Sequence, residues 1–559
     1  MFSEYYKLGF YLIVSLMLVP IQLLADEPYL LSGDLVELGD VFDHKVSPDG
    51  KWIVFRADKE VEGKFELYSV PTIGGTPIKI SGEMIAAGDV SSSYKISPDS
   101  SRVVFRADKT VNGEFELYRA SISANSVILL SKIGQNPFSL LRTGHVSNEF
   151  EISPYGSRVV YSADKEADGQ FGLYSVRIIG PTGTLNGVTI TLPIPDPIII
   201  SPSLTLTNDA INFQISSSSS QVVFKAVDND VTNLYRVSIV GDDEPFNVSG
   251  LQDDPVAIPE GHLDFKISPD GSRVVYMAEI NDAKVELYSA SMANNILPSK
   301  ISALHFFDLG IQSFEISPNS SRVVFKIPKN PPFNRNARLY SVHTSGGDQI
   351  NIGGSLVPED DAFKDFQISP DSSRVAFRIK NISNDVTELY SVQITDDNPQ
   401  KLSANSSFFF PALDVASGYK VSSDSNYVVY SVEKSFTVKD LYSVPINSGG
   451  SKLLGGNVAS DFKISPDSSS VVFQSSTGIL ASRDLFFVPI TGGEKIEISA
   501  LLDSSGITDF SVSNSLNGTH VAYIADQVQQ DKKELFAYKI PSNHIVAIMP
   551  IMMFLLLNE

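Results

Sequence analysis

The sequence predicts an all-β fold: a β-propeller of four-stranded antiparallel blades, about ten repeat units closed as one ring. Three observations predict it. One short pattern is written ten times, marked by the serine that ends its first strand: Ser47, Ser97, Ser153, Ser216, Ser268, Ser317, Ser369, Ser422, Ser465 and Ser513. The next strand closes on an aromatic in every copy: Phe55, Phe105, Tyr161, Phe224, Tyr276, Phe325, Phe377, Tyr430, Phe473 and Tyr523. A Leu-Tyr or Leu-Phe pair then follows, from Leu67-Tyr68 to Leu535-Phe536. A period of about fifty residues with four short strands in each is the mark of blades stacked about an axis.

The unit is read best between Phe265 and Ala290. Phe265 and Ile267 alternate with polar Lys266 and Ser268, the period of a half-buried strand. Ser268-Pro-Asp-Gly271 is a tight turn, because proline presets φ, aspartate caps locally and glycine accepts the left-handed position. Arg273 to Tyr276 is β-branched and aromatic, a second strand. Val285 to Ala290 alternates again as a third, and pieces such as Thr76 to Ser81 supply a weaker fourth. A lone meander cannot bury both faces, whereas stacked meanders bury each other's, at about 2 kcal/mol per large apolar side chain.

In chain order, residues 1–25 read as a signal peptide, with an apolar core from Leu8 to Leu24 and a small residue, Ala25, at the cut. Residues 26–42 precede the first unit. Tyr29 to Ser32 resembles the fourth-strand ends of later units and is expected to supply the outer strand of the final blade. The repeats fill residues 43–544. Ile178 to Ala210 is the longest spacer; it is too apolar for a linker and reads as a strand pair with an extended loop. Ser216 to Ser220 reads as a degraded turn, and Pro328 to Asn336 as an inserted loop. Residues 545–559 form an apolar tail, short for a membrane span and expected to be a buried last strand. One ring of ten competes with two smaller rings divided at the long spacer, and with a ring of eight or nine bearing irregular ends. The single ring is simplest, since no spacer has linker composition.

The formal net charge of −22 argues against a nucleic-acid partner. Membrane association is expected only through an uncleaved signal segment or the apolar tail. Absence of cysteine excludes disulfides, thiolate catalysis and Cys-based metal sites, and suits an oxidising compartment.

The units F-x-I-S-P-D-G-S-R-V-V-Y…E-L-Y-S resemble the Pro-Asp variety of WD-like propeller repeat. That repeat occurs in TolB-like periplasmic proteins of Gram-negative bacteria and in the propellers of dipeptidyl peptidases and prolyl oligopeptidases. The resemblance covers nearly all of the chain after residue 42 and implies a propeller in the periplasm or outside the cell. Only 17 residues, 26–42, stand where TolB carries an α/β domain, and no G-x-S-x-G elbow of a hydrolase domain is present. The resemblance therefore implies the fold and leaves the reaction open.

The sharpest candidate for chemistry is the loop between second and third strands in units 1 to 3. Asp58, Glu60, Glu62 and Glu66 space carboxylates at positions 1, 3, 5 and 9 around Gly63. Asp108, Asn112 and Glu116 repeat the spacing around Gly113, and Asp164, Glu166 and Asp168 repeat it without a ninth ligand. Hard oxygens at alternate positions around a glycine suit calcium, the one cofactor considered, and resemble the calcium hairpins of integrin-type propellers. The competing reading is an acidic, solvated hairpin. Asp49, Asp99, Asp270, Asn319, Asp371, Asp424 and Asp467 suggest a ring of carboxylates but are explained by turn formation. Arg102, Arg158, Arg273, Arg322 and Arg374 share one register of the second strand and are expected to pair with turn or loop acids. The seven histidines have no metal-ligand spacing, and no catalytic set is assigned. The functional expectation is an exported bacterial scaffold that binds a protein, peptide or glycan. The alternatives are a propeller hydrolase or lyase with a channel site and a calcium-dependent adhesin.

Overall fold

The computed structural model describes residues 27–131, 145–167, 170–180, 182–185, 188–201, 212–228, 231–250, 265–280, 284–293, 295–303, 310–328, 337–354, 356, 363–381, 386–403, 414–435, 438–447, 449–476, 483–499, 506–528 and 532–541. The signal-like segment, the apolar tail, most of the Pro328 to Asn336 loop, and Asp168 lie outside these residues. The molecule is one ring of ten four-stranded antiparallel blades, with no helix among the described residues. Blade 1 shows the plan: Val41–Val46, Trp52–Ala57, Glu66–Pro71 and Ile78–Lys79 pair in sequence order. Blade 8 has its first strand in two pieces, Asp414–Val415 and Lys420–Val421, both on Tyr427–Ser435. In blade 3 the long spacer forms a hairpin, Thr182–Leu185 with Val188–Thr191, and then the outer strand Ile198–Ile199.

The core lies between blades. Ten clusters of buried apolar residues each join two neighbours: Val54 and Leu67 of blade 1 pack with Val90, Tyr94 and Phe105 of blade 2. Blade 10 packs on blade 1 in the same way, through Ile524, Leu535, Ile53 and Phe55. That last contact makes the ring closed and single. Its outermost strand in blade 10 is Tyr29–Leu30, paired antiparallel with Glu534–Lys539 through Tyr29↔Ala537 and Leu30↔Phe536. The Tyr29 hydroxyl donates to the Thr72 carbonyl of blade 1 (2.7 Å), so this strand touches both sides of the seam.

The aromatic of each second strand faces the aromatic of the third across the ladder. Phe55 and Tyr68 stack at 5.5 Å and 22°, and Tyr276 and Tyr288 at 5.8 Å and 24°. All ten blades carry such a pair, including Phe473–Phe486 and Tyr523–Phe536. Each adds about 0.5–1.5 kcal/mol beyond its buried area. In three blades the tyrosine hydroxyl donates to a glutamate two residues earlier, at 3.0 Å for Tyr68 to Glu66, 2.9 Å for Tyr118 to Glu116 and 2.7 Å for Tyr390 to Glu388.

The Ser-Pro-Asp turns link neighbouring blades. In six blades the fourth turn residue is a serine at φ between 55° and 65° (Ser100, Ser219, Ser320, Ser372, Ser425 and Ser468). Side chains reach that region at a cost of roughly 1–2 kcal/mol. The hydroxyl offsets it. The amides of Asp49, Tyr155, Asp270, Asn319, Asp371 and Asp424, each in the preceding blade, donate to these six oxygens at 2.9–3.1 Å. At Gly50 glycine stands where a side chain has no room: a Cβ there would lie 2.1 Å from the Asn514 carbonyl oxygen across the closing seam. The Ser216 to Ser220 turn is not degraded. The Ser219 amide donates to the Ser216 carbonyl (2.8 Å), as in the other turns, and the Ser218 hydroxyl takes the place of the aspartate beside Ser216 (3.0 Å).

Candidate functional site in the channel wall

The first strands surround the central channel of the propeller. Nine of them bury one ring-bearing side chain between blades, for example His44, Tyr94, Phe150, Phe265 or Phe462, and Phe366 of blade 7 is half-buried. Period-two alternation turns the residues on either side of it away from that interface. The residue after the ring is Lys45, Lys95, Lys266, Lys420 or Lys463 in five blades and Glu151, Gln214, Glu315, Gln367 or Ser511 in the other five, and none of the ten is buried. The residue before it is acidic in six blades, Asp43, Glu149, Asp264, Asp365, Asp461 and Asp509, of which Asp264 lies outside the described residues. Two residues of strand separate these positions by about 6.6–6.8 Å. The wall thus carries an acidic tier toward the loops between second and third strands and a mainly basic tier toward the Ser-Pro-Asp turns.

Residues of this tier tie most blades to the next. The Lys45 ammonium donates to the Tyr94 carbonyl (2.6 Å) and lies 4.5 Å from the centre of the Tyr94 ring. Lys463 donates to the Phe510 carbonyl and sits 4.8 Å over that ring. Lys95 pairs with Glu151, and Lys266 with Glu315 (2.6 Å). Gln214 donates to the Phe265 carbonyl (2.8 Å) and accepts from the Ile267 amide (3.0 Å). In the acidic tier, Asp43 holds Arg56 (2.8 Å) and Asp365 holds Arg378.

His44 stands at the closing seam with its side chain fully buried. Nε2 meets the Ser511 hydroxyl of blade 10 at 2.8 Å, and Nδ1 lies 3.3 Å from an Asp509 carboxylate oxygen. Burial pushes the imidazole pKa down to about 4, Asp509 and Asp43 oppose this, and Lys463 adds to it. The ring is therefore neutral at physiological pH.

The loop carboxylates are engaged within the fold. Asp58 accepts from the Asp40 amide (2.6 Å) through one oxygen and the Gly63 amide (2.9 Å) through the other. Asp108 does the same with Asp89 and Gly113, at 2.6 and 2.9 Å. Asp164 accepts from the His145 amide. Glu66 is buried and faces Lys79 (2.7 Å), which also holds Glu60 (3.0 Å); Glu116 accepts from Tyr118. Glu62 and Asn112 are exposed, and Glu166 is described only as part of strand Arg158–Ala167. Among the described residues no three His, Asp or Glu side chains are grouped so as to hold a metal ion. Gly39-Asp40-Val41 and Gly88-Asp89-Val90 are the other half of this clasp, and Asp89 in turn accepts from the Phe65 amide of blade 1 (2.8 Å).

The turn aspartates bond within their own turns. Partial burial alone would raise the Asp371 carboxyl, but the Ser369 hydroxyl and the Ser373 amide and hydroxyl hold it below its ordinary value. The arginine expectation is corrected. Among the described residues only Arg102 forms an ion pair with a turn acid, Asp99 at 3.5 Å, while Asp270 and Asp371 act on Arg273 and Arg374 at longer range. Arg158, Arg273, Arg322 and Arg374 reach the serine of the third strand; Arg273 Nε donates to Ser289 Oγ at 2.6 Å. Leu-Tyr-Ser places that hydroxyl diagonally across the ladder, two rungs from the arginine (Ser289 faces Val275, and Arg273 faces Ser291).

No family model and no curated protein matches the chain. Propeller-type solved structures are similar to it. A prolyl endopeptidase is 14% identical over 72% of this chain, with a TM-score of 0.35, and the chain spans only 55% of that protein. An oligogalacturonate lyase from Vibrio parahaemolyticus is 13% identical over 66% of this chain and 98% of its own, with a TM-score of 0.34. A eukaryotic initiation factor structure is 12% identical over 78% of this chain and 93% of its own, with a TM-score of 0.40. This likeness carries no argument about activity.

Proposed function

We propose that the protein is an exported scaffold that binds a protein, peptide or glycan along its channel wall. One observation carries the reading: the ten residues that follow the buried rings stay accessible, while the blades that present them are tied together at nearly every seam. A wall held this way is preorganised, and preorganisation lowers the entropy lost on binding. The signal-like residues 1–25 and the absence of cysteine support export.

The cysteine-free chain makes the test direct. Gln367→Cys places a single thiol in the wall for a photo-crosslinker, and Gln400→Cys places one on an outer strand. Extract from the exporting compartment is expected to give a discrete adduct with the first and not the second. Equal labelling of both, or none, would overturn the reading.

A further inference from the structure

We infer that the sector of the channel wall at the closing seam, formed by Lys463, Ser511 and Lys45 on blades 9, 10 and 1, receives the carboxylates of an acidic peptide segment. The inference rests on the scaffold reading and adds its chemistry and location. Five lysines stand in the basic tier, but three face a carboxylate: Lys95 with Glu151, Lys266 with Glu315 (2.6 Å) and Lys420 with Asp461 (3.4 Å). Lys45 and Lys463 have no carboxylate within 4 Å among the described residues. Each gives one hydrogen to a backbone carbonyl of the next blade and retains two more donors. Between them is the Ser511 hydroxyl, held by His44 at 2.8 Å.

Three consecutive blades therefore present ammonium, hydroxyl and ammonium at one level of the wall, in a chain whose net charge is −22. Asp43, Asp461 and Asp509 stand one tier away and repel an anion that approaches from their side, so the segment enters from the face of the Ser-Pro-Asp turns. Charge-assisted hydrogen bonds to carboxylates are roughly twice as strong as neutral ones, and they weaken with salt where the wall is wet.

The test is selection from a random dodecapeptide display library on the immobilised full chain, followed by affinity measurement of the selected peptides. Enrichment of Asp and Glu is expected. The double variant Lys45→Gln/Lys463→Gln should weaken those peptides at least tenfold, whereas Lys452→Gln, exposed on an outer strand away from the wall, should leave them within twofold. Matching melting curves for the variants exclude loss of the fold. Selected peptides that lack acids, or that bind the double variant equally well, overturn the inference and leave the scaffold reading standing. A library and an extract that both yield no binder overturn the two together.

Discussion

The amide of Asp270 in blade 5 donates to the hydroxyl of Ser320 in blade 6 at 2.9 Å, and Ser320 accepts it at φ 63°. One residue thus bears a strained backbone and relieves it by joining two blades. Ser320→Ala keeps the strain and loses the bond, and should cost about 1–2 kcal/mol. Ser320→Gly loses the bond but removes the strain, and should cost less. Denaturant unfolding of the three proteins gives the order serine, glycine, alanine; alanine equal to serine would refute the link.

Gly50 is the counterpart at the seam, where a Cβ would sit 2.1 Å from the Asn514 carbonyl oxygen. Gly50→Ala should therefore destabilise by about 1–3 kcal/mol through overpacking and left-handed strain. Gly63→Ala, in an open loop at a similar φ, isolates the strain alone and should cost less. Unfolding midpoints compare the two.

Deleting residues 26–35 removes Tyr29–Leu30 together with Leu31 and Leu35, which are buried in the seam between blades 10 and 1. Two buried leucines are worth about 2 kcal/mol each, so stability should fall by about 4 kcal/mol. Calorimetry on the shortened chain checks this, and an unchanged transition would refute the strand's role.

His44 gives the seam a pH dependence. Its folded pKa, about 4, lies below the ordinary histidine value of 6.5. The unfolded chain therefore binds the proton more readily, and stability present above pH 6.5 is lost as pH falls toward 4. The full effect is about 3 kcal/mol. His44→Gln keeps a partner for Ser511 and should flatten the curve across that window; a slope equal to that of the parent protein would refute the assignment.

Glu66 and Lys79 form a buried pair at 2.7 Å. Lys79→Met leaves the carboxylate without its main partner and should cost about 3 kcal/mol, while Lys79→Met with Glu66→Gln should recover most of it. Both Asp58 carboxylate oxygens already accept amides, from Asp40 and Gly63, so titration with millimolar calcium should release no heat.

Much of the fold was legible because its signals are local and repeated. Phe265 and Tyr276 share a ladder rung because the turn at Ser268 to Gly271 joins their strands, and a hairpin register follows from its turn. The ties between blades were not legible in the same way. Whether Arg273 reaches Asp270 or Ser289 depends on which is nearer across the ladder, and spacing along the chain is silent on that. The fourth turn residue did carry a signal, serine against glycine, but its meaning needs the neighbouring blade. His44 was one of seven scattered histidines until the ring brought Ser511 and Asp509 to it. The two tiers of the wall were written piecemeal across the first strands; they form a surface only once ten strands stand round one channel.

The strand that completes blade 10 has a consequence for how the chain is made. Ser32 accepts from the Leu535 amide, 503 positions later in sequence. At synthesis rates of 5–20 residues per second, roughly 25–100 s pass between the emergence of the two. Throughout that interval Tyr29–Leu30 lacks its mate, and a partner supplied by another copy could take the vacancy. Intermolecular exchange at this strand is thus the characteristic error open to the nascent polypeptide.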